Sequence, residues 1–330
     1  MRSNSLCILL LFSMLALACT KSSTTAEVRN NNESPSPAPQ TQAGAVEQEL
    51  EQRLKLISDR AKGTVGLSVV HIESGKAVSI HGKTQLPLYS VLKLPLAIAV
   101  LKDIEENRLR LDQKVHVTPD EIVPGTPGND ALWLKPVDVT VAYLVDVSIA
   151  RSDNTSSEKL LQLAGGPGKV TERMRSLGFQ NLSIHSTVAE YVKSRRNPNT
   201  GSAEDLANLL VQLHQGKILQ PSQLNLLIGY MQRATTGLRR LRGDLPAGTV
   251  VADKTGSGER DEVKRVAKAT NDVGIITLPS GRGHLAIAVL VSESELPDAA
   301  QEKLIAELAR AAYDAYSKDA PKQTAQAGIH

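Results

Sequence analysis

Aromatic side chains are scarce in this 330-residue chain: one Trp, six Tyr and two Phe make up 3% of it. So thin a supply leaves little with which to stack bases and argues against a single-strand nucleic-acid binder. A surplus of one charge is also lacking. The 38 basic residues face 35 acidic ones, and a net charge of +3 does not provide the basic face that a nucleic-acid backbone demands. Cysteines number two, at positions 7 and 19. No apolar run reaches the roughly 20 residues of a membrane-spanning helix. What remains, 41% hydrophobic and 22% charged side chains, is the composition of a globular protein with a substantial core.

Several chemistries are missing as well. There is no G-x-x-x-x-G-K-[ST], no G-x-G-x-x-G after a strand, no H-E-x-x-H and no G-x-S-x-G elbow. The histidines stand at 71, 81, 116, 185, 214, 284 and 330, without the close spacing of a metal site. No metal and no cofactor are expected.

At the N-terminus, Met1 and Arg2 lead into an apolar run over residues 6–18, which reads as a secretory signal peptide, 1–18. The run ends Ala16-Leu17-Ala18-Cys19. Cleavage before Cys19 would leave that cysteine to carry a lipid, as in bacterial lipoproteins, whereas Ala16-Leu17-Ala18 also fits an ordinary A-x-A site. Both routes export the chain, so a periplasmic protein is expected, held to a membrane if Cys19 is lipidated. Cys7 would be removed with the signal, which excludes an internal disulfide. Residues 19–45, with Asn30-Asn31-Asn32 and Ser34-Pro35-Ser36-Pro37, read as a tether, and 318–330 as a disordered tail.

The folded unit is then 46–317. Leu50, Leu54 and Ile57 share one helical face and predict an amphipathic helix over 46–61. Alternation over 64–72 and 77–81, around Ser74-Gly75, predicts a β-hairpin. The stretch 90–233 is mostly helical; strand-like runs return at 249–252, 273–278 and 285–291 before a helix over 299–316. That order describes an α/β fold. One lobe, 46–85 and 240–317, holds a sheet with both terminal helices against it; the other, 86–239, is all helical.

Three short motifs carry the chemistry. Ser90-Val91-Leu92-Lys93 opens a helix predicted over 90–106. There unpaired backbone N–H groups favour developing negative charge, and a lysine one turn on can take the hydroxyl proton. Alone this pattern is weak, since Ser156-Ser157-Glu158-Lys159 matches it too and Ser90 could be a plain N-cap. Ser152-Asp153-Asn154 precedes a helix and reads equally well as capping, with Thr155 and Glu158 in a capping-box pattern. Lys254-Thr255-Gly256 follows a strand. Their shared order, two in the helical lobe and one at the end of a sheet strand, points to a cleft between lobes.

S-x-x-K, S-D-N and K-T-G together are the signature of class A β-lactamases and penicillin-binding proteins. The chain resembles a class A serine β-lactamase from the hairpin near Thr64 through the last helix, best over Arg151-Ser152-Asp153-Asn154-Thr155 to Gly165-Gly166-Pro167. The resemblance implies an antiparallel sheet and a monomer acting on a β-lactam. It makes Ser90 the nucleophile, Lys93 its proton partner, Ser152 the donor to the leaving nitrogen, and Lys254 with Thr255 the carboxylate grip. It also implies that Gly256 belongs to the K-T-G substrate-binding strand, that backbone N–H groups of Ser90 and Ser257 form the oxyanion hole, and that Asn154 holds the acylamide. Thr235-Thr236-Gly237-Leu238-Arg239-Arg240 is similar to the family's T-T-G-x-x-R and places Arg240 as a second cation, unless it is a solvated surface arginine. Trp133 is either an aromatic wall at the cleft mouth or core. The charged stretch 257–272 resembles the expanded loop of a subgroup that borders the acyl side-chain pocket.

One departure stands out. The family carries a glutamate in the loop after the S-D-N helix that activates the deacylating water. Between Phe179 and Ala203 the only acidic residue is Glu190. Matching Thr187 and Ala189 to the subgroup's T-E-A puts Val188 at the base position and Glu190 two residues late. Glu190 is taken as the candidate base. The competing reading is a penicillin-binding or D,D-peptidase-like protein that acylates with little turnover.

Overall fold

The computed structural model describes residues 44–125 and 129–317. The signal peptide, Cys19, nearly all of the tether and the tail lie outside these residues.

The described residues begin with α1 (Ala45–Ser58) and a hairpin of β1 (Thr64–His71) and β2 (Ala77–Ile80). A 3-10 turn, Tyr89–Leu92, leads directly into α2 (Lys93–Glu105). The predicted helix therefore starts as a tighter turn, and Pro95 falls in the first turn of α2, where its missing N–H leaves no bond unmade. Next come α3 (Val141–Ala150), α4 (Asn154–Leu163), α5 (Pro167–Ser176), α6 (Val188–Ser194), α7 (Ala203–His214) and α8 (Pro221–Gln232). The chain then returns to the sheet with β3 (Val251–Ser257), β4 (Thr270–Thr277) and β5 (His284–Ser292), and ends in α9 (Asp298–Ser317).

The five strands form one antiparallel sheet in the order β2-β1-β5-β4-β3. The central strand β5 reads as an unbroken apolar run because helices cover both of its faces. Ala286, Ala288 and Leu290 join the core shared with α2, α3, α4 and α7. Leu285, Ile287, Val289 and Val291 join Leu50 and Leu54 of α1 and Leu304 and Leu308 of α9 on the other face. Period-two alternation thus divides the core into two layers. β3, at the sheet edge, is the strand that meets the 3-10 turn carrying Ser90 and α8.

Two expectations need correction, and the choice left open at Trp133 is settled in favour of the core. Asp153, not Thr155, caps α4, accepting from Ser156 N at 2.6 Å, because α4 starts at Asn154; Thr155 Oγ1 instead accepts from Val123 N at 3.0 Å. Trp133 is 1% exposed in the helical-lobe core, donating to Asp153 Oδ2 at 3.3 Å and packing edge-on to Tyr143. The histidines are not all apart: folding brings the rings of His214 and His284 to 4.2 Å between centroids.

Candidate active site

The three motifs converge where the 3-10 turn carrying Ser90 lies against β3. A Cβ on Gly256 would stand 3.2 Å from Ser90 N and 3.1 Å from Val91 N and would collide with Leu88 O. Only glycine lets the strand pass so close beneath the turn. From the neighbouring strand, Asn271 Nδ2 donates to Pro87 O at 2.8 Å and Leu88 O at 3.1 Å, pinning the same turn. Tyr89 and Ser152 both adopt left-handed backbone, φ 49° and 57°, a conformation side-chain-bearing residues hold only where the surroundings enforce it.

Lys93, the first residue of α2, is 1% exposed. Its Nζ donates to Ser152 O at 2.6 Å, Ser152 Oγ at 3.2 Å and Asn154 Oδ1 at 2.7 Å. From the opposite side the fully buried Lys254 donates to the same Ser152 Oγ at 3.1 Å and to Thr255 O at 2.8 Å. One hydroxyl therefore sits between two lysine nitrogens. Burial, and then the charge of Lys254, pull the proton affinity of Lys93 well below that of an ordinary lysine, against the opposing charge of Asp153. Lys254 is lowered to about 7 by burial, with Asp253 and Asp272 resisting. Such a Lys93 can shed its ammonium charge and accept a proton, and the chain Lys93–Ser152–Lys254 can pass one on.

Around this core stand the groups that the resemblance assigns to substrate recognition. Asn154 Nδ2 donates to Pro124 O at 2.8 Å, which fixes the amide. Thr255 Oγ1 and Thr236 Oγ1 share a hydrogen bond of 2.7 Å. Arg240 is buried rather than solvated: its guanidinium donates to Gly256 O at 3.1 Å, Asn271 O at 2.9 Å and Ser257 Oγ at 2.7 Å. It places a fixed positive charge beside the end of β3.

Ser90, Lys93, Asn154 and Ser257 line one cavity of 340 Å³. Tyr89 and Tyr191 form its aromatic wall, edge to face at 5.4 Å with their hydroxyls 2.9 Å apart. Their rings fill the role that Trp133 was a candidate for, and the adjacency of Tyr89 to Ser90 was the only hint in the sequence.

Glu190, the candidate base, is not among the residues that line the cavity. Glu190 is exposed, and its carboxylate caps α6 by accepting from Thr187 N at 2.8 Å while Thr187 Oγ1 accepts from Glu190 N at 3.1 Å. As the third residue of a capping box it is turned back on its own helix, outside the cavity lining. Val188 and Val192 face the cavity instead. Buried Glu158 is committed to holding the loop, accepting from Ala189 N at 3.0 Å.

Among the described lining residues, Glu259 is the one carboxylate. It lies at the start of the charged stretch, paired with Lys268 at 2.9 Å and, across the mouth, with Arg195 at 3.8 Å. Burial pushes Glu259 up, but the Lys268 hydrogen bond prevails and holds it below its ordinary value, so it is a poor proton acceptor. The charged stretch does border the cavity, through Ser257, Gly258 and Glu259.

The sequence profile of the beta-lactamase enzyme family matches residues 49–316. The extended-spectrum beta-lactamase PER-1 of Pseudomonas aeruginosa is 33% identical over 268 residues, covering 80% of this chain and 86% of that protein. Beta-lactamase VEB-1 of the same organism is 28% identical over 280 residues, 83% and 92% of the two chains. Among solved structures, a beta-lactamase from Chitinophaga pinensis superposes with a TM-score of 0.78 at 34% identity, covering 81% of this chain and 99% of that one.

Proposed function

The chain belongs to the β-lactamase enzyme family, on its class A serine branch, and we propose that it hydrolyses the β-lactam amide through an ester on Ser90. The observation that carries this reading is the Ser152 hydroxyl held between Lys93 and Lys254 beside the Ser90 turn.

In acylation, the Ser90 hydroxyl oxygen adds to the lactam carbonyl carbon and its proton passes to neutral Lys93. The oxyanion is received by the backbone N–H groups of Ser90 and Ser257. The carbon–nitrogen bond then breaks, the nitrogen takes the Ser152 proton, and Lys93 refills Ser152 across their hydrogen bond. Lys93 ends as it began. Lys254, Thr255 and Arg240 attract the substrate carboxylate, and Asn154 orients the acylamide. The loop beginning at Ser257 borders the pocket for the acyl side chain, a position suited to admitting bulky cephalosporins.

Deacylation needs a base for water, and the loop position that would supply a carboxylate holds Val188. Lys93 is the remaining acceptor. It takes the water proton as the ester carbon is attacked and returns it to the departing Ser90 oxygen. A lysine that also donates to Ser152 O and Asn154 Oδ1 is a less suitable base than a positioned carboxylate, so the acyl-enzyme lives long. This gives the enzyme a partial penicillin-binding character while leaving it a hydrolase.

We place the catalytic unit outside the cytoplasm, on a tether ending in lipidated Cys19. The Ala16-Leu17-Ala18-Cys19 junction after an apolar run supports that reading. We infer that it acts as a monomer, as its resemblance to class A enzymes implies.

Three outcomes are expected. Intact-mass spectrometry after β-lactam treatment should find one adduct on the wild type and none on Ser90→Ala; an adduct at Ser156 would contradict the assignment. Val188→Glu should shorten the acyl-enzyme lifetime by at least about tenfold, within the range a general base contributes. Val188→Gln should leave that lifetime unchanged, and equal lifetimes in all three proteins would remove Val188 from the account. Cys19→Ser should move the enzyme from the membrane to the soluble exported fraction with turnover intact; a wild type already soluble would favour cleavage at an ordinary A-x-A site.

A further inference from the structure

Away from the cavity, three distant chain segments meet at the opposite end of the sheet. Glu73 stands in the turn between β1 and β2, His214 is the last residue of α7, and His284 is the first residue of β5. One potential ligand atom from each lies within 4.8 Å of the other two. Glu73 is held by both ends of His284: Oε2 accepts from its backbone N at 2.8 Å and Oε1 contacts Nδ1 at 2.7 Å. Gly283 makes room for this carboxylate, since any Cβ there would collide with it. The rings of His214 and His284 are tilted by 46° to one another rather than stacked flat. Both rings are partly buried and Glu73 is exposed, so the cluster opens to solvent.

From this juxtaposition we propose that Glu73, His214 and His284 bind a divalent cation of the zinc class, with solvent in the remaining position. Two imidazoles and one carboxylate are a donor set that zinc accepts with one position open. Tetrahedral bonds of about 2.0–2.1 Å hold donors about 3.3 Å apart, so side-chain rotation of about an ångström closes the set. The ion would sit where the proton between His284 Nδ1 and Glu73 Oε1 now lies. His71 is not a fourth ligand. Its Nδ1 is engaged by Ser74 Oγ and its Nε2 by Arg282 O, both at 2.8 Å, and it stands 3.7 Å from Glu73 Oε2 as an outer neighbour. The site would tie the hairpin, α7 and the central strand together without touching the Ser90 cavity, so its contribution is to stability.

The test is calorimetric titration of the chelator-treated full chain with Zn²⁺, alongside thermal melting. The wild type should bind a single equivalent at this cluster, with its melting midpoint raised by at least about 2 °C at saturation. His214→Gln and Glu73→Gln should each weaken binding by at least about tenfold and lose the shift, with β-lactam turnover unchanged as the check on folding. Identical titrations of the wild type and both variants would place any bound zinc elsewhere and overturn the proposal. So would the absence of saturable binding to the wild type.

Discussion

Burial of two lysine side chains around one hydroxyl is the constraint on which the rest of the site depends. Removing an ammonium from water is expensive unless the group is paired or gives up its charge. Lys93 meets three oxygen acceptors, none of them a carboxylate, and Lys254 meets two. The acids that do offset the charge, Asp153, Asp253 and Asp272, act from behind. This arrangement keeps Lys93 easily deprotonated. The close passage of Gly256 under the Ser90 turn, the strained backbone of Tyr89 and Ser152 and the anchoring by Asn271 all hold the catalytic segments in register around it.

The loop that closes the cavity is secured by polar contacts that leave its catalytic position apolar. Asn199 Oδ1 accepts from His185 N and Ser186 N at 2.7 and 3.0 Å, and Glu158 holds Ala189 N. The loop is thus well tied down. Among its residues that line the cavity, from Val188 and Tyr191 to Arg195 and Asn199, none is a carboxylate, so on the proposed mechanism the loop gives the hydrolytic water no acidic partner. On the proposed mechanism acylation rests on Ser90, Lys93 and Ser152, and all three are in place around the cavity. The chemistry is unevenly equipped for its two halves.

Much of this was legible in the sequence. The hairpin, the returning strands, both terminal helices and the helical insertion follow from periodicity, and Ser90, Lys93, Ser152, Asn154 and Lys254 follow from motif order. Other features were not. Glu190 was the only acidic residue in its stretch, but a glutamate three residues after Thr187 is also a capping-box residue, and the helix start claimed it. Trp133 had no positional signal to choose between core and cleft, and burial of its ring settled the matter. The meeting of His214 with His284 depends on how α7 packs against β5, a tertiary fact that linear spacing does not contain.

The central claim, fast acylation followed by slow Lys93-assisted release of the ester, is tested most directly by stopped-flow hydrolysis of nitrocefin by the wild type across pH. The neutral, base-competent fraction of Lys93 grows as pH rises, and because burial and Lys254 lower its proton affinity it does so at a lower pH than for an ordinary lysine. The account predicts a burst of about one product per enzyme followed by a slower steady phase whose rate increases with pH. A progress curve that is linear from the first turnover, with a rate indifferent to pH, would contradict it.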